Sequence, residues 1–147
     1  MMYTQLKGKI LVFFQFLLLG LIIYTGRKIN WTTWQAGLVV AGVFIAIWAI
    51  LSMRKSKLRI NPVPDPSATL VSTGIYKWIR HPMYLSLILI AAGFTGIHDI
   101  FFKQIIFLLL IAVLVVKLLF EERLLHKQFP QYEKYCKSTY RLIPFIF

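Results

Sequence analysis

FFKQIIFLLLIAVLVVKLLF, residues 101–120, carries one lysine near each end and no acid, and it runs directly into Glu121-Glu122. At ~1.5 Å per residue such a helix reaches about 30 Å, the thickness of a bilayer's hydrocarbon core. The stretch therefore predicts a membrane-spanning helix. Three more apolar runs lie upstream, Ile10 to Thr25, Thr33 to Met53 and Pro82 to Ile97, and the four together take about half of the 147 residues. The first can be lengthened back to Leu6 if Lys7 and Lys9 snorkel to the headgroups. The third cannot grow so easily, because Pro82 sets its start and Gly93, Gly96 and His98-Asp99 mark its end. It reads as a tilted short span or as half of a tight hairpin with the fourth. The expected fold is an all-α membrane protein of about four transmembrane helices, one domain over residues 1–147.

Composition supports this reading. Hydrophobic residues make up 59% and charged residues 15%, against roughly 25% charged in an average soluble domain. A water-soluble fold could not hide that much apolar surface. The net charge of +12 would suggest nucleic acid in a soluble protein; here it marks segments facing anionic headgroups. Fourteen of the 17 cations fall on one side if both termini share it, leaving Arg27, Lys28 and Lys103 opposite. The positive-inside rule then places both termini in the cytoplasm of a multi-pass protein, with the plasma (inner) membrane as the expected location. A cleaved signal peptide is the rival reading of the first run, but Tyr24-Thr25-Gly26-Arg27-Lys28 lacks a small-residue cleavage site. The single Cys136 excludes an internal disulfide and any multi-cysteine metal site, and His98-Asp99 lie across the membrane from His81 and His126, so no metal is expected.

Polar chemistry is concentrated in two cytoplasmic regions. Residues 54–81 contain Asn61-Pro62-Val63-Pro64-Asp65-Pro66, a stiff extended path, then a turn at Thr73-Gly74 and a helix-like Ile75 to Arg80. Residues 121–147 continue the fourth helix to a break at Pro130, after which Tyr132, Tyr135, Cys136 and Thr139 share one face of a short amphipathic helix. Within Arg80-His81-Pro82-Met83-Tyr84, the proline opens a helix whose first N–H groups suit an anionic ligand group. Arg80 taken alone reads as a headgroup cap. Glu121 and Glu122 sit at the membrane end of a span, where a carboxylate is costly without a cation or a ligand. Lys117, one turn earlier, can pair with Glu121 and leaves Glu122 unexplained. No dinucleotide fingerprint, phosphate-binding loop or nucleophile elbow occurs. Any cofactor must sit between the helices, the 54–81 loop and the C-terminal helical segment.

From Thr69 onward the pattern resembles a known family. Leu70-Val71-Ser72-Thr73-Gly74-Ile75-Tyr76, Arg80-His81-Pro82-Met83-Tyr84, Glu121-Glu122, Phe129, Tyr132, Tyr135 and Ile143-Pro144-Phe145 together look like the isoprenylcysteine carboxyl methyltransferases. Those enzymes belong to a wider set of membrane methyltransferases that includes phospholipid N-methyltransferases. The resemblance covers residues 69–147. It implies S-adenosylmethionine bound at the cytoplasmic face by Leu70, Val71, Tyr76, His81, Tyr84 and Glu121 or Glu122; the acidity of the acceptor then suggests catalytic roles for Glu121, Glu122 and Lys117. It further implies a lipid or prenylated acceptor as partner. A carboxylate acceptor, with a pKa of about 3.5, needs alignment by a cation such as Lys117 or Arg123 and no base, whereas a protonated amine needs a base such as Glu121 or Glu122. Departures from the prenylcysteine enzymes are the shorter N-terminal region and a lysine, not an arginine, at Lys117. Competing readings are an NADPH-dependent reductase of the sterol-reductase kind, which shares the Arg-His-Pro-x-Tyr motif, and a non-catalytic membrane adaptor.

Overall fold

The computed structural model describes residues 2–26, 32–53, 70–95 and 101–144. Five α-helices follow in order, α1 (Met2–Gly26), α2 (Thr33–Met53), α3 (Pro82–Thr95), α4 (Phe101–Gln128) and α5 (Tyr132–Lys137), with a 3-10 turn at Gly74–Lys77 before α3. No strand occurs among the described residues. Helices α1, α2 and α4 are long and apolar enough to cross a membrane. Their apolar residues run all round, so large side chains such as Phe13, Phe44 and Leu108 stay exposed where lipid would cover them.

The local signals that start and stop these helices are identifiable. Gln35 caps the start of α2, its Oε1 accepting from both the Thr32 N–H and the Thr32 hydroxyl at 3.0 and 2.7 Å. Helix α1 begins well before the expected Ile10, because Lys7 and Lys9 do not interrupt a helix. Lys7 lays its ammonium 5.3 Å over the Phe120 ring, which sets the start of α1 beside the C-terminal end of the α4 apolar run. Helix α4 runs on to Gln128, as its sequence predicts, and ends ahead of Pro130. The expected helix from Ile75 to Arg80 is shorter: the 3-10 turn closes at Lys77, and Ile79 instead pairs in parallel with Tyr140. The proline-rich path at 61–66, the turn at His98-Asp99 and the end of the third run lie outside the described residues.

Two glycines bring α2 and α3 together. A Cβ on Gly42 would lie 2.8 Å from Ser86 O, and one on Gly93 would lie 2.6 Å from Val39 Cγ2. The backbones approach closely only because those atoms are missing, as in small-residue helix contacts in membranes. Helix α3 also packs against α1 and α4, and α1 packs against α4. With 14 residues it spans about 21 Å at ~1.5 Å per residue, less than the ~30 Å of a bilayer's hydrocarbon core. The largest core cluster runs through Ile22, Ala91, Leu110, Leu114 and Leu118.

Candidate active site

Polar residues at the end of the bundle where α4 runs on toward α5 enclose a cavity of about 300 Å³. Every helix contributes to it. Leu70, Val71 and Tyr76 come from the segment before α3, His81 and Tyr84 from the start of α3, Lys117 and Glu121 from α4, and Tyr132 and Tyr135 from α5. Deeper, the lining passes to Gln15 and Phe16 of α1, Ala46 of α2, and Leu87 and Ile90 of α3. The structure thus brings together Leu70, Val71, Tyr76, His81, Tyr84, Lys117 and Glu121. Glu122, expected as a cofactor and catalytic residue alongside Glu121, is not part of the lining.

Glu122 instead anchors the C-terminal segment. Its carboxylate accepts from Arg80 Nε and Arg141 Nε, both at 3.0 Å, and lies 3.6 Å from His81 Nε2. Burial alone pushes the Glu122 carboxyl up, but the His81 contact, Arg141 and Arg80 outweigh it and hold it down at about 2. Arg80 is therefore not a headgroup cap. It is buried, and its guanidinium also donates to the Cys136 carbonyl at 3.0 Å and to Thr139. Backbone bonds complete the strap, Arg80 N–H to Tyr140 O at 2.8 Å and His81 N–H to Arg141 O at 3.0 Å. The geometry follows from the isolated parallel bridge of Ile79 to Tyr140, which lets residues 80–81 bond residues 140–141 before Pro82 opens α3.

The start of α3 offers fewer free donors than its sequence suggests. The N–H groups of Tyr84 and Leu85 both bond the His81 carbonyl, at 3.1 and 3.2 Å. The His81 ring stacks on Tyr84 with centroids 5.4 Å apart and planes within 2°. Two buried polar atoms of the lining residues, His81 Nε2 and Tyr132 Oη, have no hydrogen-bond partner among the described residues. Such atoms are costly unless a ligand meets them. Tyr135 donates to the Tyr76 carbonyl at 2.6 Å and so ties α5 to the 3-10 turn. Burial, then the Tyr135 and Glu121 neighbours, raise the Tyr76 hydroxyl well above its ordinary value, so it stays neutral.

Deeper in the cavity, Lys117 is 2% exposed and Gln15 4%. The sequence pairs Lys117 with Glu121; the structure turns its ammonium toward α1, where it donates to Gln15 Oε1 at 2.8 Å and sits 4.9 Å over the Tyr84 ring. Glu121 acts on the same ammonium through its charge. Gln15 was not singled out by motif or spacing. Its signal was available nonetheless, as the one polar amide in the apolar run from Ile10 to Ile23. Arg123, the other cation considered for an acceptor carboxylate, is exposed and outside the lining.

The residues present fit S-adenosylmethionine. Glu121 would offer a carboxylate to its amino group or sulfonium, the Tyr76 ring a face to a cation, and Tyr132 Oη, which has no hydrogen-bond partner among the described residues, a polar contact. The volume is at the lower end of what small-ligand sites use, roughly 300–1,000 Å³. No group of three or more candidate metal ligands occurs among the described residues.

A bundle of membrane-length helices with a polar cavity at one end defines a class of integral membrane protein. Sequence comparison is specific within that class: the model of the phospholipid methyltransferase family matches residues 31–132, and the chain belongs to that family. It is by membership a membrane methyltransferase, a family that acts on lipid substrates and generally uses S-adenosylmethionine. The match runs from the start of α2 into α5 and leaves α1 outside it. None of the curated proteins compared with the chain matches it significantly.

Proposed function

We propose that the protein transfers a methyl group from S-adenosylmethionine to a lipid-borne acceptor that enters the cavity from the bilayer. The observation supporting this reading is the order of the lining. Glu121, His81 and Tyr76 lie at the polar end, Lys117 with Gln15 lies about one helical turn further in, and Phe16, Leu87 and Ile90 form an apolar wall along the apolar runs of α1 and α3. When bound, S-adenosylmethionine supplies an electrophilic methyl group on a cationic sulfur. Leu70, Val71, Tyr76, His81, Tyr84 and Glu121 hold it at the cytoplasmic end, and the strap from Arg80 and Glu122 to Arg141 keeps water out.

The acceptor favoured by the buried Lys117 ammonium is a carboxylate of the isoprenylcysteine type. That group is ionised at neutral pH, so Lys117 has only to align it, and alignment with water exclusion is worth several kcal/mol of barrier (up to ~7–11). A phospholipid amine is the second reading, supported by the family's description and by Glu121. There the Glu121 carboxylate takes the ammonium proton before the nitrogen can act as nucleophile. The charge distribution supports both termini in the cytoplasm, with the site on the inner face of a plasma (inner) membrane.

The test begins with cofactor. Purified protein is expected to bind S-adenosylhomocysteine by calorimetry; absence of binding up to about a millimolar overturns the proposal. Stabilisation by NADPH instead would assign a reductase; at 100 times Kd a ligand adds about 2.7 kcal/mol. A labelled-methyl assay offering prenylcysteine, phosphatidylethanolamine and total membrane lipid then identifies the acceptor. Transfer to none of them, with S-adenosylhomocysteine bound, leaves a non-catalytic adaptor as the better description.

A further inference from the structure

The first helix lies outside the family match, yet it places one polar side chain inside the cavity. Gln15 sits in the apolar run of α1, is almost wholly buried, and reaches across to α4, 102 positions along the chain, to accept from Lys117 Nζ at 2.8 Å. We infer that Gln15 is a positioning residue that orients Lys117 as the subsite for the anionic group of the lipid acceptor, so that α1 completes the active site. This rests on the methyltransferase reading above.

Three properties of the pair carry the inference. First, the bonded atom must be the amide oxygen, because an ammonium has only protons to offer. A neutral acceptor fixes the direction of Lys117 without cancelling its charge. A carboxylate at position 15 would satisfy the lysine and use up its attraction for any anion. Second, a long lysine stem in an apolar wall is mobile unless held. Here the Gln15 bond and the Tyr84 ring restrain it from two sides, while Glu121 acts from one turn closer to the cytoplasm. Third, both partners line the same cavity, next to Phe16 and Leu87. An acceptor whose apolar tail lies along those walls brings its anionic group to Lys117. The chemistry recognised is an anionic oxygen group at the head of a lipid, either a carboxylate or a lipid phosphate.

The experiment compares wild type with Gln15→Glu and Gln15→Leu in detergent micelles. Binding of S-adenosylhomocysteine by calorimetry comes first; loss of it in wild type sinks the methyltransferase reading itself, and retention in the variants shows that they are folded. Affinities of the S-adenosylhomocysteine complex are then measured for N-acetyl-S-farnesylcysteine, its methyl ester, and phosphatidylethanolamine. Where methyl transfer to the acid or the phospholipid occurs, KM and kcat are measured as well. Wild type is expected to prefer the farnesylated acid to its ester if the anion is a carboxylate, or to bind phosphatidylethanolamine if it is a phosphate. In either arm Gln15→Glu should weaken the anionic lipid by about tenfold or more, the scale of a hydrogen bond to a charged group. The effect should fall on KM with kcat little changed, and ester binding should be unaffected. Gln15→Leu should show a smaller loss of the same kind. Variants that bind cofactor and keep wild-type affinity for both anionic lipids overturn the inference. So does a wild type that binds acid and ester equally and does not bind phosphatidylethanolamine, or an equal loss for acid and ester, which marks a merely structural role.

Discussion

Adjacent residues on an α-helix point about 100° apart, and that rotation separates Glu121 from Glu122. Glu121 faces the cavity with Tyr76 and Tyr84, whereas Glu122 faces Arg80, Arg141 and His81. The two should respond differently to the same chemical change. Glu122→Gln leaves the buried Arg80 guanidinium without its counter-charge, which should cost about 3 kcal/mol in a denaturant titration in mixed micelles. Glu121→Gln should leave stability within about 0.5 kcal/mol of wild type while weakening S-adenosylhomocysteine by about tenfold. Acid acts on the same group. The folded value of the Glu122 carboxyl lies below its ordinary 4.5, at about 2. Its contribution is therefore present above pH 4.5 and lost as pH falls toward 2, and Glu122→Gln should remove that loss from the stability profile. The importance of the carboxylate pair was legible in the sequence, since acids at a span end are rare. Their division of labour was not, because it depends on which face of α4 meets the returning chain at Thr139 to Arg141.

At the scale of elements, the bundle depends on the glycine contacts between α2 and α3. Gly93→Val should force α3 away from Val39 and from the Gln35 carbonyl, at a cost of about 2 kcal/mol for an overpacked site. At Gly37 a Cβ would meet nothing within 4 Å, so Gly37→Ala should be neutral or slightly stabilising in the same titration. Helix identity and the bounds of α2 were readable from apolar length, and the start of α3 from Pro82. The early start of α1 was less so, because lysines in its second turn look like the edge of a membrane segment while leaving the helix intact. The bridge at Ile79 escaped a pattern reading for another reason. Its partner, Tyr140, lies about sixty positions away, and local propensity carries no information about it.

At the scale of the molecule, orientation is a question of charge. The lone cysteine, Cys136, is partly exposed on the strap that closes the cavity. If the cation-rich side is cytoplasmic, a membrane-impermeant maleimide should label Cys136 in inverted vesicles and leave it unlabelled in sealed right-side-out vesicles. Labelling only in the latter would reverse the topology. The sequence by itself determined the solvent, the approximate spans and the candidate cofactor residues. Length, hydropathy and charge are properties of contiguous segments, and lipid rewards them directly. Tertiary structure alone decided that Arg80 and Glu122 close the site, that Lys117 turns to α1, and that Gln15 belongs to the cavity. Each of those facts is a hydrogen bond or ion pair between side chains brought together by helix packing, and the energy of such a contact exists only once the low-dielectric interior has formed around it.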